Sequence, residues 1–139
     1  GENDFHNLTP DDENTVRELR AEVRRDGDYL VFDLRAGGFV REMVRRVVSL
    51  VRAVATGDAE LTKVERVLGP ERIDGPEGVA PAPAYPLVLV DAEYPMLEFS
   101  VDGDAAASTR EIFAELREER ATGARVASEV VDRTRGLKP

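Results

Sequence analysis

Four arginines stand close together in this chain: Arg41, Arg45, Arg46 and Arg52. Set on a helix at about 100° per residue, Arg41, Arg45 and Arg52 fall in one narrow window. That window lies beside a wide apolar arc of Val40, Met43, Val44, Val47, Val48, Leu50, Val51 and Val54, with Glu42 and Arg46 further round. A guanidinium is planar and permanently charged, so the chemistry such a cluster offers is recognition of phosphate or carboxylate. The plain alternative is a solvated face whose arginines lay their stems over the edge of the core. Three arginines in one narrow window are more than that alternative needs. Other chemistries have fewer candidates. The chain has no cysteine, which excludes thiolate nucleophiles, thiolate metal sites and disulfides. Its single histidine, His6, falls in a loop segment and reads as an ordinary surface residue. A Ser-His-Asp triad or a His-based metal site would have to be built on that one group. Neither GxGxxG nor a Walker A pattern occurs, so the glycine-rich phosphate cradles are absent too. Carboxylates are plentiful, but no pair stands out by position.

The charge is unevenly spread. Asp and Glu number 28 against 19 Lys and Arg, a net charge of −9, and only Lys63 and Lys138 are lysines. Many carboxylates with few lysines is the balance expected where salt is high, because strongly hydrated acidic surfaces stay soluble there. Drift in a GC-rich genome is the bland alternative. Thr15–Val54 is the only basic stretch, and an anionic partner is expected there. At 139 residues and 42% apolar content the chain suits one domain, or a piece of one, with a single core. No run approaches the roughly 18 apolar residues of a membrane span. The opening Gly1-Glu2-Asn3 carries no leader pattern and reads as the start of an excised fragment, compatible with a cytoplasmic home.

These side chains need elements to hold them. Residues 1–14 read as a loop or edge segment with a turn at Thr9-Pro10-Asp11-Asp12. Thr15–Arg25 fits either a strand or a helical face. Asp26-Gly27, followed by the β-rich run Tyr29–Leu34, favours a hairpin. After Gly37-Gly38 the spacing predicts a helix over Phe39–Ala55. Gly57-Asp58 should end it and cap a shorter helix over Glu60–Leu68, with Leu61, Val64 and Leu68 on one face. Gly69–Pro86 is a proline-rich loop, Leu87 to Tyr94 reads as a central strand, and Met96–Val101 as a further short strand. Ser108 and Glu111 form a capping-box pattern before a helix running to about Arg133, with a kink near Gly123. This order predicts an α+β fold, helices laid on one face of a largely antiparallel sheet.

The wording of particular segments adds to this. Gly38-Phe39-Val40-Arg41-Glu42-Met43-Val44-Arg45-Arg46-Val47-Val48 resembles the GFLRxMVRxIVG helix of the tRNA pseudouridine synthase A (TruA) family. Gly1-Glu2-Asn3-Asp4-Phe5 resembles its G-x-H-D-F opening, with Asn3 in place of His. The segment ending in Gly69-Pro70-Glu71-Arg72 resembles the family's approach to the active-site loop. Ala80–Val90 with Tyr94-Pro95 resembles APAxGLxLxxVxYP, with Pro86 where the family has Gly; Ser49 likewise replaces the Gly after the helix motif. The likeness covers about residues 1–95, the C-terminal half of such an enzyme and half of a pseudouridine synthase core. Residues 96–139 stand outside it as a mostly helical extension.

The resemblance implies isomerisation of uridine to pseudouridine in the anticodon stem-loop of tRNA, without a cofactor or metal. It implies tRNA as partner, a homodimer for the complete enzyme, and no membrane. The family's essential aspartate lies in an R-T-D-x-G-V motif of the N-terminal half; Asp132-Arg133-Thr134-Arg135-Gly136 has the wrong order for it. This chain alone is therefore expected to be inactive. Arg45 matches the arginine that pairs with that aspartate, and Leu87 the leucine that packs beneath the flipped base. On pattern alone Leu87 would read as core. Arg41, Arg46 and Arg52 are the expected RNA contacts. A non-catalytic RNA-binding or dimerisation module is the rival reading, and an R-T-D-x-G-V motif upstream would decide between them.

Overall fold

The computed structural model describes residues 1–73 and 75–135; Asp74 and the end of the extension, from Gly136, lie outside the described residues. The first compact unit is Gly1–Val90, and a second begins at Asp91. The class is α+β, with antiparallel ladders and helices.

The first ladder joins β1 (Glu2–Asp4) to β2 (Val16–Glu18), pairing Asn3 with Arg17. The second joins β3 (Arg20–Asp26) to β4 (Tyr29–Arg35), from Arg20 opposite Arg35 to Asp26 opposite Tyr29. That hairpin closes through Gly27-Asp28, one residue later than the Asp26-Gly27 dipeptide suggested. Gly27 sits at φ +60°, the left-handed region that the first position of a tight two-residue turn demands.

Helix α1 (Met43–Thr56) turns Met43, Val47 and Leu50 inward at helical spacing. Met43 is fully buried and packs in one cluster with Phe5, Leu8, Val40, Leu50, Val67 and Val79. The helix starts four residues later than its apolar period predicted. Val40 is drawn into the core, the Arg41 N–H is taken by the Asp11 carboxylate at 3.0 Å, and Glu42 adopts φ +61°, ψ −4°. A left-handed residue cannot continue a right-handed helix, so α1 begins just after it. Its end matches expectation: Gly57 at φ +80° donates to the Val54 carbonyl.

Helix α2 (Thr62–Val67) buries Val67 and leaves Leu61 exposed, which rotates the predicted face. Asp58 does not cap it; its carboxylate accepts from Thr56 Oγ1 at 2.7 Å instead. Asn7, buried in the short 3-10 turn His6–Leu8, ties the following loop down. Its Nδ2 donates to the carbonyls of Val67 (3.1 Å) and Glu71 (2.9 Å), and its Oδ1 accepts from the Ile73 N–H (2.9 Å). Every hydrogen-bonding group of that amide is used but one lone pair, as burial requires.

Two predicted strands are not formed. Leu87 to Tyr94 and Met96–Val101 carry no ladder, and Val88, Leu89 and Val90 are largely exposed. Apolar β-branched residues favour extended backbone, but a strand also needs a neighbour for its N–H and C=O groups. Among the described residues none pairs with either segment. In the second unit, the Tyr94 and Phe99 rings meet edge to face, 6.0 Å apart. Helix α3 (Gly103–Thr134) then runs 32 residues without interruption at Gly123 and holds no buried residue. Asp102 caps it, accepting from the N–H groups of Asp104 and Ala105 at 3.0 Å. The cap thus lies six residues before the Ser108–Glu111 pattern, which becomes helix interior. No described helix is long and apolar enough to cross a membrane.

Candidate functional site

The arginines are sorted by where α1 begins. Arg41 precedes the helix, so it does not share a helical stripe with Arg45 and Arg52. Its Nε donates to Asp11 at 3.1 Å while its backbone N–H holds the same carboxylate. The Arg41 N–H, and then its guanidinium, keep the Asp11 carboxyl below its ordinary range. Arg45 and Arg52 lie seven residues apart, nearly two full turns, and so share one face of α1. Arg52 is exposed near the C-terminal end and makes no side-chain bond among the described residues.

Arg45 and Arg46 both reach the proline-rich loop. Arg45 Nε donates to the Ala82 carbonyl at 2.6 Å, and the Ala82 N–H donates back to the Arg45 carbonyl at 3.1 Å. This reciprocal pair fixes the loop to the first turns of α1. It occupies one nitrogen of the guanidinium and leaves the terminal fork, the part that matches a carboxylate in a bidentate pair, without a partner among the described residues. Arg46 is engaged on both sides. Its Nη1 donates to the Val79 carbonyl at 2.7 Å, and its Nε and Nη2 donate to one Glu42 oxygen at 3.1 and 2.7 Å. Both partners of that ion pair are mostly sheltered.

Beyond Ala82 the chain turns, closed by the Leu87 N–H on the Ala84 carbonyl at 3.0 Å. Leu87 follows directly, 49% exposed and so free to offer an apolar surface. One loop therefore carries both Ala82, which holds Arg45 at Nε, and Leu87 five residues later. Residue types alone do not reveal the anchors, because Val79 and Ala82 act through backbone carbonyls. Glu42 with Arg46 had a visible signal, the i,i+4 spacing of opposite charges.

An open depression of about 610 Å³ lies elsewhere, against Arg66, Gly69, Glu71, Arg72 and Glu77. Its arginines pair with carboxylates, Arg66 with Glu77 at 3.1 Å and Arg72 with Asp12 at 2.9 Å, and Glu71 and Glu77 line it as well. Among the described residues no three of His, Asp and Glu converge as metal ligands.

A tRNA pseudouridine synthase family model matches residues 1–95. A tRNA pseudouridine synthase A of Haloarcula marismortui is 52% identical over 132 residues, covering 95% of this chain and 48% of that protein. One from Natronomonas pharaonis is 50% identical over 127 residues, 91% of this chain and 48% of its own length. At greater distance, one from Archaeoglobus fulgidus is 32% identical over 106 residues, 73% of this chain. The chain spans about half the length of the curated relatives it matches. The similarity to the Haloarcula protein runs past residue 95 into α3, so the extension has a counterpart there. Relatives among halophilic archaea agree with the salt reading of the composition.

Proposed function

This chain belongs to the tRNA pseudouridine synthase family, and on that premise we propose that it is the C-terminal half of an enzyme that isomerises uridine to pseudouridine in the anticodon stem-loop of tRNA. The observation that carries the reading is the Arg45 guanidinium, rooted in a helix, held at Nε by Ala82, its fork without a partner among the described residues. The reaction breaks the bond between base and sugar, turns the uracil, and rejoins it through carbon. An ionised aspartate in a water-poor pocket is needed, and burial alone would raise that carboxyl's pKa. A fixed, permanent cation beside it opposes the rise. In this reading the aspartate comes from the other half of the protein, Arg45 is its charge partner, and Leu87 is the apolar floor under the flipped base. Arg41 and Arg52, both exposed, are the phosphate contacts; Arg46, whose donors face Glu42 and Val79, has less to offer RNA.

The test is single-turnover kinetics and tRNA affinity in the complete protein. Breaking a buried ion pair costs about 3–5 kcal/mol. If that falls on the reacting state, Arg45→Ala slows the chemical step roughly 10²–10⁴-fold. Arg45→Lys also fails substantially, because a point charge on a flexible stem does not reproduce the planar fork. The present chain alone should release no tritium from tRNA whose uridines are tritiated at C5, the carbon that would form the new bond to the sugar. A near-normal single-turnover rate for Arg45→Ala, with affinity alone reduced, would make Arg45 a phosphate contact and overturn the assignment.

A further inference from the structure

The loop that carries Ala82 and Leu87 is gripped twice by adjacent residues of α1. Arg45 holds the Ala82 carbonyl and Arg46 the Val79 carbonyl, three residues earlier. We propose that Arg46, clamped between Glu42 and Val79, is a positioning residue that sets where the Arg45 fork and Leu87 stand relative to each other. This rests on the reading of Arg45 and Leu87 given above.

The argument begins with what each bond leaves free. The Arg45 side chain has a single tether to the loop, at Nε, and that bond is a pivot about which the fork could swing as the loop shifts. Arg46 has three donors in use, two on one Glu42 oxygen and one on Val79, so its own plane is fixed. Val79 is itself buried in the core cluster, 6% exposed, which makes its carbonyl a firm anchor. The stretch Val79–Ala82 is thus held at its start by Arg46 and at its end by Arg45. Loss of the first hold would let the second move.

Glu42 supplies an independent sign that the clamp matters. It is one of two non-glycine residues with positive φ among those described, the other being Asn14. A glutamate gains nothing from the left-handed region and is disfavoured there relative to glycine. Such a conformation persists where its surroundings over-determine it, and here the side chain it launches is the one that fixes Arg46. The same geometry answers why Arg46 is a poor phosphate ligand: its charge is met by a carboxylate 2.7 Å away and both are mostly sheltered.

The experiment uses the complete enzyme with Arg46→Ala, Arg46→Lys, Glu42→Ala and the Glu42→Ala/Arg46→Ala double variant. Single-turnover rate, tRNA affinity across a KCl series and thermal melting are measured for each. A misplacement near 1 Å at a reacting group costs up to about 10²-fold, so Arg46→Ala should slow the chemical step roughly 10- to 100-fold. Its tRNA affinity and the salt dependence of that affinity should stay at the parent values. Glu42→Ala should show the same split, and the double variant should be no slower than Arg46→Ala, because one clamp is being removed twice. Should Arg46→Ala fold poorly, Arg46→Lys keeps the charge and most of the stem but cannot hold both acceptors. It should be slower at the chemical step with unchanged affinity. Weaker tRNA binding with a shallower salt slope would make Arg46 a phosphate contact and overturn the proposal. A lower melting temperature with an unchanged single-turnover rate would reduce it to a stabilising residue and overturn it equally. Arg45→Ala, run alongside, separates the two readings. If that variant is slow while Arg46→Ala is normal, only the positioning role falls. If Arg45→Ala reacts normally, the site assignment falls and takes this role with it.

Discussion

Asp4 shows how a single side chain converts geometry into a pH response. It accepts from Thr15 Oγ1 at 2.5 Å and from the His6 N–H at 3.1 Å, joining β1 to the start of β2. The Thr15 hydroxyl foremost, then the His6 N–H and ring, hold its carboxyl below the ordinary 3.8, against the opposing effect of burial. A depressed folded value means stability that is present above pH 3.8 and lost as pH falls through the folded value. Asp4→Asn should therefore be less stable than the parent near neutrality, and the gap should close below pH 3.8. Denaturant melts at a series of pH values check this; a gap that persists unchanged at low pH would contradict it. At this scale the arginines were legible because guanidinium chemistry is written in the residue type. Their roles were not, because the carbonyls of Val79 and Ala82, which decide where Arg45 and Arg46 point, belong to residues with no chemical signature of their own.

Period and caps both mark helices in this sequence, and the two signals are not equally informative. The period marks α1, but the helix enters four residues late because Val40 and Arg41 answer to tertiary partners and Glu42 takes a left-handed conformation. The C-terminal Gly57 stop was correct because a positive φ is a local demand that glycine meets. For α3 a plausible capping box lost to Asp102, which stands before the first helical turn and accepts two of its free N–H groups. With no buried residue to hold it, α3 depends on such local terms. Asp102→Ala should cost about 1 kcal/mol of local helix stability, seen as faster amide exchange over Gly103–Ser108 with α1 unchanged. The Leu87 to Tyr94 run failed as a strand for a different reason. Composition tells that a segment prefers extended backbone and burial, yet pairing depends on a neighbour that the segment's own residues do not specify. The hairpin β3–β4 succeeded because both strands and their turn lie within 16 consecutive residues, so its neighbour was in view.

For the chain as a whole, the acidic composition yields a stability prediction of its own. With a net charge of −9, carboxylate repulsion should be relieved by salt. The cooperative step of a melt is expected to rise by about 5 °C, equivalent to roughly 1 kcal/mol for a domain of this size, between dilute buffer and molar KCl. A midpoint that stays flat or falls counts against it. The α+β class was readable from element order; the division after Val90 comes where the apolar run Leu87–Val90 meets the acidic Asp91. The unburied length of α3 has a thermodynamic meaning that goes beyond its cap. Thirty-two residues that no core holds unwind gradually on heating, from the ends inward, whereas the cluster around Leu8 and Met43 comes apart all at once. Far-ultraviolet circular dichroism, weighted toward α3, and amide exchange at Met43 and Leu50 should then trace different curves. A chain built this way is not two-state, and it has no single melting temperature to quote.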